Sequence, residues 1–145
     1  MVPFRLERVR RLREQLRRQG ERAVGETTHA IAVNEAEVEA LRAAQAEDWN
    51  AAVGQLVAGM TAGELQSHAR YGVRLTTQEA AAVVTGTRLQ SELAARRARL
   101  VLARMEERKV EQLRTRWQTR QAETTQRAAD RLQDELALRR HGAGR

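Results

Sequence analysis

One row of residues spaced by seven runs through the second half of the chain: Leu75, Ala82, Leu89, Arg96, Ala103, Val110 and Trp117. A companion row, Gly86, Leu93, Leu100 and Glu107, lies between its members. Steps of three and four place two such rows side by side on one helix face, and a repeat of seven keeps that face toward a partner helix. A strand alternates with period two, and a helix of a globular core shows a wider apolar face, so the pattern excludes most folds. Composition points the same way. Aromatic residues make up 3% of the chain, too few for an ordinary globular core, and the single proline is Pro3. Alanine, leucine, arginine, glutamate and glutamine dominate, which is the composition of long helices. The expected fold is all-α: a long antiparallel two-helix coiled-coil hairpin with a C-terminal helical overhang. The polar residues Arg96 and Glu107 interrupt the seam and predict a pairing of moderate stability.

The first helix is expected over about residues 3–57, opening at Pro3, where a missing N–H costs nothing. Leu6, Val9, Leu12 and Leu16 recur at helical spacing. After Gly20 and Gly25 the stripe resumes at Ile31, Val38, Leu41, Trp49, Val53 and Leu56. A turn is predicted at about 58–61. Gly59 is suited to a left-handed helix stop, and Thr61 with Glu64 reads as a capping box for the second helix, about 62–139. Residues 140–145 read as a frayed tail. Folding the chain back about Gly59 and Met60 brings Trp49 near Tyr71, Val38 near Ala82, Ile31 near Leu89, Val9 near Val110 and Phe4 near Trp117. A seam of period seven also matches in registers shifted by seven. Gly72 and Gly86 are expected to weaken the second helix.

The formal net charge is +7, which invites nucleic acid, anionic lipid or an acidic protein surface. Arginines crowd Arg5–Arg22 and Arg96–Arg120, so the open end of the hairpin is expected to be basic. The stretch Glu107–Trp117 holds the only lysine, Lys109. Nucleic acid would call for aromatic rings interleaved with these charges, and only Phe4 and Trp117 are at hand, both in the seam. A membrane-surface helix would need a broader apolar face. There is no cysteine, no run of about 18 apolar residues and no secretory h-region. No Gly-Lys-Ser/Thr follows any glycine. His29, His68 and His141 lack a ligand pattern, and the acidic pairs Glu106–Glu107 and Asp134–Glu135 sit among arginines as helix ion pairs. No catalytic, metal or cofactor site is expected. Trp49 and Tyr71, opposed across the hairpin, are too large to be covered fully by two helices and are candidate binding residues.

The stretch Phe4-Arg-Leu-Glu-Arg-Val-Arg-Arg-Leu-Arg13 resembles the opening of the FliJ family of flagellar type III export proteins. So do the Gly59–Leu65 turn followed by Tyr71 and Leu75, the segment Glu107-Arg-Lys-Val-Glu-Gln-Leu113, and the late Asp134-Glu-Leu-Ala-Leu-Arg-Arg140. The resemblance implies a non-enzymatic antiparallel coiled coil similar to the rotor stalk of F-type ATPases. Its open end would insert into the hexameric flagellar export ATPase and promote assembly, and its other end would meet the cytoplasmic domain of the export gate. Export chaperones are further implied partners. The implied place is cytoplasmic, peripheral to the inner membrane at the flagellar base. On these grounds Arg8, Arg11, Arg108 and Lys109 are assigned to the ATPase, and Leu41, Gln45, Trp49, Tyr71 and Leu75 to the gate. Gln45 stands where an aromatic would anchor better. The stalk of an injectisome and a basic coiled coil on nucleic acid are the competing readings.

Overall fold

The computed structural model describes residues 3–144. It contains two helices, α1 (Glu7–Ala58) and α2 (Ala62–Gly142), joined by a short turn. The protein is an all-α antiparallel helical hairpin, with no strand among the described residues. At the turn Gly59 takes a φ of +105°, a conformation that an L side chain would strain. The expected capping box is present. The Glu64 N–H donates to the Thr61 hydroxyl at 3.2 Å, and the Glu64 carboxylate accepts from the Thr61 N–H at 2.9 Å.

The chain divides into two compact units. The turn unit is Gln19–Leu100; the terminal unit is Met1–Arg18 with Val101–Arg145. In the turn unit, the positions at alternating steps of four and three, from Gly20 to Ala52 on α1 and from His68 to Leu100 on α2, are buried or half-buried. Ile31, Leu75, Ala82, Leu93 and Leu100 form its core. This core is thin, because two helices can shield only a seam.

Polar residues therefore share the seam. Asn34 is buried, and its side-chain amide donates to the Ala82 carbonyl at 2.9 Å. Gly86 lies opposite, and a Cβ there would stand 2.6 Å from Asn34 Oδ1. The glycine thus does more than weaken α2: it admits a buried polar side chain from α1. Arg96 reaches across to the Ala23 carbonyl at 3.1 Å and the buried Thr27 hydroxyl at 2.7 Å. Glu79 accepts from Arg42 and from Gln45, each at 2.8 Å.

In the terminal unit, Phe4 packs on Trp117 with ring centroids 5.7 Å apart and planes tilted by 49°. Val110 is buried. Glu107, expected to interrupt the seam, pairs with Arg17 at 2.6 Å. The stripe Leu6, Val9, Leu12 and Leu16 is less covered than its spacing suggests, with Leu12 52% exposed. Glu7, Arg10, Glu14 and Arg17 are better shielded there, since long charged side chains cover apolar surface with their stems. Residues 122–144 are all exposed.

Candidate interaction surfaces

Near the turn the seam runs out of large side chains. Ala52, Ala69 and Gly72 leave a groove of about 580 Å³, rimmed by Trp49, Leu65 and Val73 and closed at one side by His68. Trp49 is 71% exposed, and Leu65, Val73, Leu56 and Val57 are also exposed. A cluster of exposed apolar side chains of this kind marks a docking surface more often than single exposed residues do. The expected opposition of Trp49 and Tyr71 takes a different form. Tyr71 lines a second depression with Gln55, Ser67 and His68, and the Arg74 guanidinium lies 5.2 Å above its ring.

His68 lines both depressions. Its Nδ1 is 2.7 Å from Asp48 Oδ1 and its Nε2 is 2.9 Å from Gln55 Oε1, so it ties α2 to α1 at two places. The remaining residues assigned to this end from sequence serve the seam. Leu75 is buried at 4% exposure, Leu41 is half-buried, and Gln45 lines the groove while donating to Glu79. Leu65, His68, Ala69, Gly72 and Val73 were not singled out by sequence reasoning for this surface. The available signal was the small residues at seam positions Ala52 and Gly72, with Ala69 beside them, which cannot fill the space between two helices.

The terminal unit offers charge rather than shape. Its sequence holds 18 basic and 9 acidic residues, a net of +9, whereas the turn unit holds 8 basic and 10 acidic, a net of −2. Arg8 and Arg108 are exposed. Arg108 borders a shallow depression with Glu111, Gln112, Thr115 and Arg116. The Arg11 side chain is 74% exposed, with its Nε 3.4 Å from Glu7. The Lys109 ammonium lies 3.0 Å from Glu106. Hydrogen bonds from Arg10 and from Lys109 hold the carboxyls of Glu7 and Glu106, respectively, below the usual carboxylate range. These carboxylates are only half-covered, and pairs of this kind are worth little in stability. Their effect is to fix which cations of the cluster are partnered within the chain.

Among the described residues no group of three His, Cys, Asp or Glu side chains could hold a metal ion. Among the described residues no helix is long and apolar enough to cross a membrane. The arrangement offers an apolar groove on one unit and a dense cationic surface on the other.

Comparison with known proteins decides the family. Residues 1–145 match the family described as flagellar FliJ protein. The chain belongs to the FliJ family. As a FliJ-family chain it is counted among the components of the type III export apparatus. A solved structure of CT670 from Chlamydia trachomatis, described as a YscO homologue, has the same fold. The TM-score is 0.65 at 18% identity, covering 97% of this chain and 96% of that one. Among curated proteins, none matches.

Proposed function

We propose that this chain is a non-enzymatic stalk of the flagellar export apparatus, with its terminal unit seated in the hexameric export ATPase. The observation that carries this reading is the partition of charge, +9 on the terminal unit against −2 on the turn unit. An acidic cavity wall would attract the first unit and not the second. Arg8, Arg11, Arg108 and Lys109 are the contacts proposed there, and they promote assembly of the ring. The groove at Trp49, with Tyr71 beside it, is proposed to dock on the cytoplasmic domain of the export gate. Leu41, Gln45 and Leu75 support that surface from the seam. The protein would then work at the cytoplasmic face of the inner membrane. The injectisome stalk shares this mechanism, and the family match favours the flagellum.

The test is ATP hydrolysis by the cognate export ATPase at fixed ionic strength, with and without this chain. Stimulation with ring assembly is expected, and both should be lost in a variant carrying Arg8→Glu, Arg11→Glu, Arg108→Glu and Lys109→Glu. Absence of binding and stimulation by the parent chain would overturn the reading. Steeply salt-dependent binding to DNA or RNA in its place would establish the nucleic-acid alternative.

A further inference from the structure

A seam with a seven-residue repeat does not by itself choose a register. Within the turn unit, Gly20 faces Leu100, Asn34 faces Gly86, and Asp48 faces Gly72. In this register Val38 falls opposite Ala82. Sliding α2 by one heptad moves it about 10 Å along α1 and restores the step of three and four. Val38 would then meet Leu89 or Leu75, both apolar, so the apolar positions of the seam tolerate the slide.

Asn34 does not. We propose that Asn34, seated against Gly86, is the pin that fixes the register of the turn unit. Its amide is buried and has one acceptor across the seam, the Ala82 carbonyl at 2.9 Å. That approach needs a residue without a Cβ at position 86, where one would stand 2.6 Å from Asn34 Oδ1. A slide in one direction sets Asn34 against Leu93, which offers its amide nothing. A slide in the other sets it against Glu79 and parts that carboxylate from Arg42 and Gln45, its two donors. A single buried polar side chain that is satisfied in one alignment only is a known means of selecting that alignment. This device is independent of which partner the unit meets.

The chain contains no cysteine, so disulfide trapping reads the register without background. Three double variants report it: Val38→Cys with Ala82→Cys for the present register, and Val38→Cys with Leu89→Cys or with Leu75→Cys for the two slides. With Asn34 in place, only the first pair should oxidise under mild conditions. Adding Asn34→Leu should let at least one slid pair form. The ratio of present to slid product should fall roughly ten-fold or more, the scale set by one buried amide losing its partner. Asn34→Ala, which favours helix, serves as the second variant, with helicity checked by circular dichroism. The pin is refuted if both variants stay helical and still trap only the 38–82 pair, or if the slid pairs already form with Asn34 present.

Discussion

Three glycines inside the helices allow the seam to be weighed residue by residue. Each replacement by alanine gains about 1 kcal/mol of helix propensity. What differs is the space for the new Cβ. At Gly25 nothing lies within 4 Å, so the full gain of about 1 kcal/mol should appear. At Gly20 the Cβ would stand 3.1 Å from Leu100 Cδ1, the free end of a flexible side chain. Moving that end off its rotamer costs on the order of 0.5–1.5 kcal/mol, so Gly20→Ala should come out near neutral. At Gly86 the Cβ would stand 2.6 Å from Asn34 Oδ1, and the amide must swing away from the Ala82 carbonyl. An unpaired buried amide costs about 1–3 kcal/mol, which exceeds the propensity gain and leaves a net loss of about 1 kcal/mol. Urea denaturation at unchanged slope should therefore rank Gly25→Ala above the parent, Gly20→Ala beside it and Gly86→Ala below. Gly25→Ala and Gly86→Ala should differ by about 2 kcal/mol. If Gly86→Ala were as stabilising as Gly25→Ala, the close seating of Asn34 on position 86 would be wrong.

Other outcomes follow from the same seam. Leu93→Ala, at a position 6% exposed, should destabilise by about 2–3 kcal/mol in the same urea assay, the low end for a core leucine because the seam is thin. Thr61→Ala should cost about 1 kcal/mol through loss of the cap of α2, and hydrogen exchange in the first turn of α2 should rise. A chain with only Trp49, made by Trp117→Phe, should be quenched by acrylamide more readily than one with only Trp117, made by Trp49→Phe, since Trp117 is half-buried against Phe4. Hydrogen bonds from Arg42 and Gln45 hold the Glu79 carboxyl below the usual carboxylate range. Its contribution is thus complete above the ordinary carboxylate range and is lost as the pH falls through the lowered value. Thermal melts of Glu79→Gln should accordingly lose less stability on acidification through that range than melts of the parent.

The hairpin could be read from sequence because the heptad rows survive in a single dimension. Leu75, Ala82 and Val110 fall in one row, and all three are buried. The chemistry of the seam was less legible. Asn34 gives no such signal, because a polar residue among apolar ones reads as solvent-facing, and only the glycine 52 positions later makes room for it. Gly86 reads as a helix penalty, since what a missing Cβ allows lies on the other helix. Leu6, Val9, Leu12 and Leu16 have the spacing of a covered stripe. The stems of Glu7, Arg10 and Arg17 take part of that place, and periodicity counts apolar residues without seeing stems. The groove at Trp49 depends on space left by Ala52, Ala69 and Gly72, and a space between helices has no letter of its own. The cationic character of the terminal unit was legible from arginine runs, but the choice among acidic partners was not, because charge attracts without specifying shape.

The pairing of Lys109 with Glu106 also has a chemical consequence. Every other side-chain cation of this chain apart from histidine is a guanidinium, so an acylating reagent that reads amines finds, besides the chain's amino terminus, one side-chain target. That target lies 3.0 Å from a carboxylate, and its side chain is 64% exposed. Acylation would remove its charge, release Glu106 and leave an amide on the terminal unit as a mass tag. The chain is thus covalently addressable at one defined point on its most basic surface, and the rate of labelling there would report whether that surface is covered.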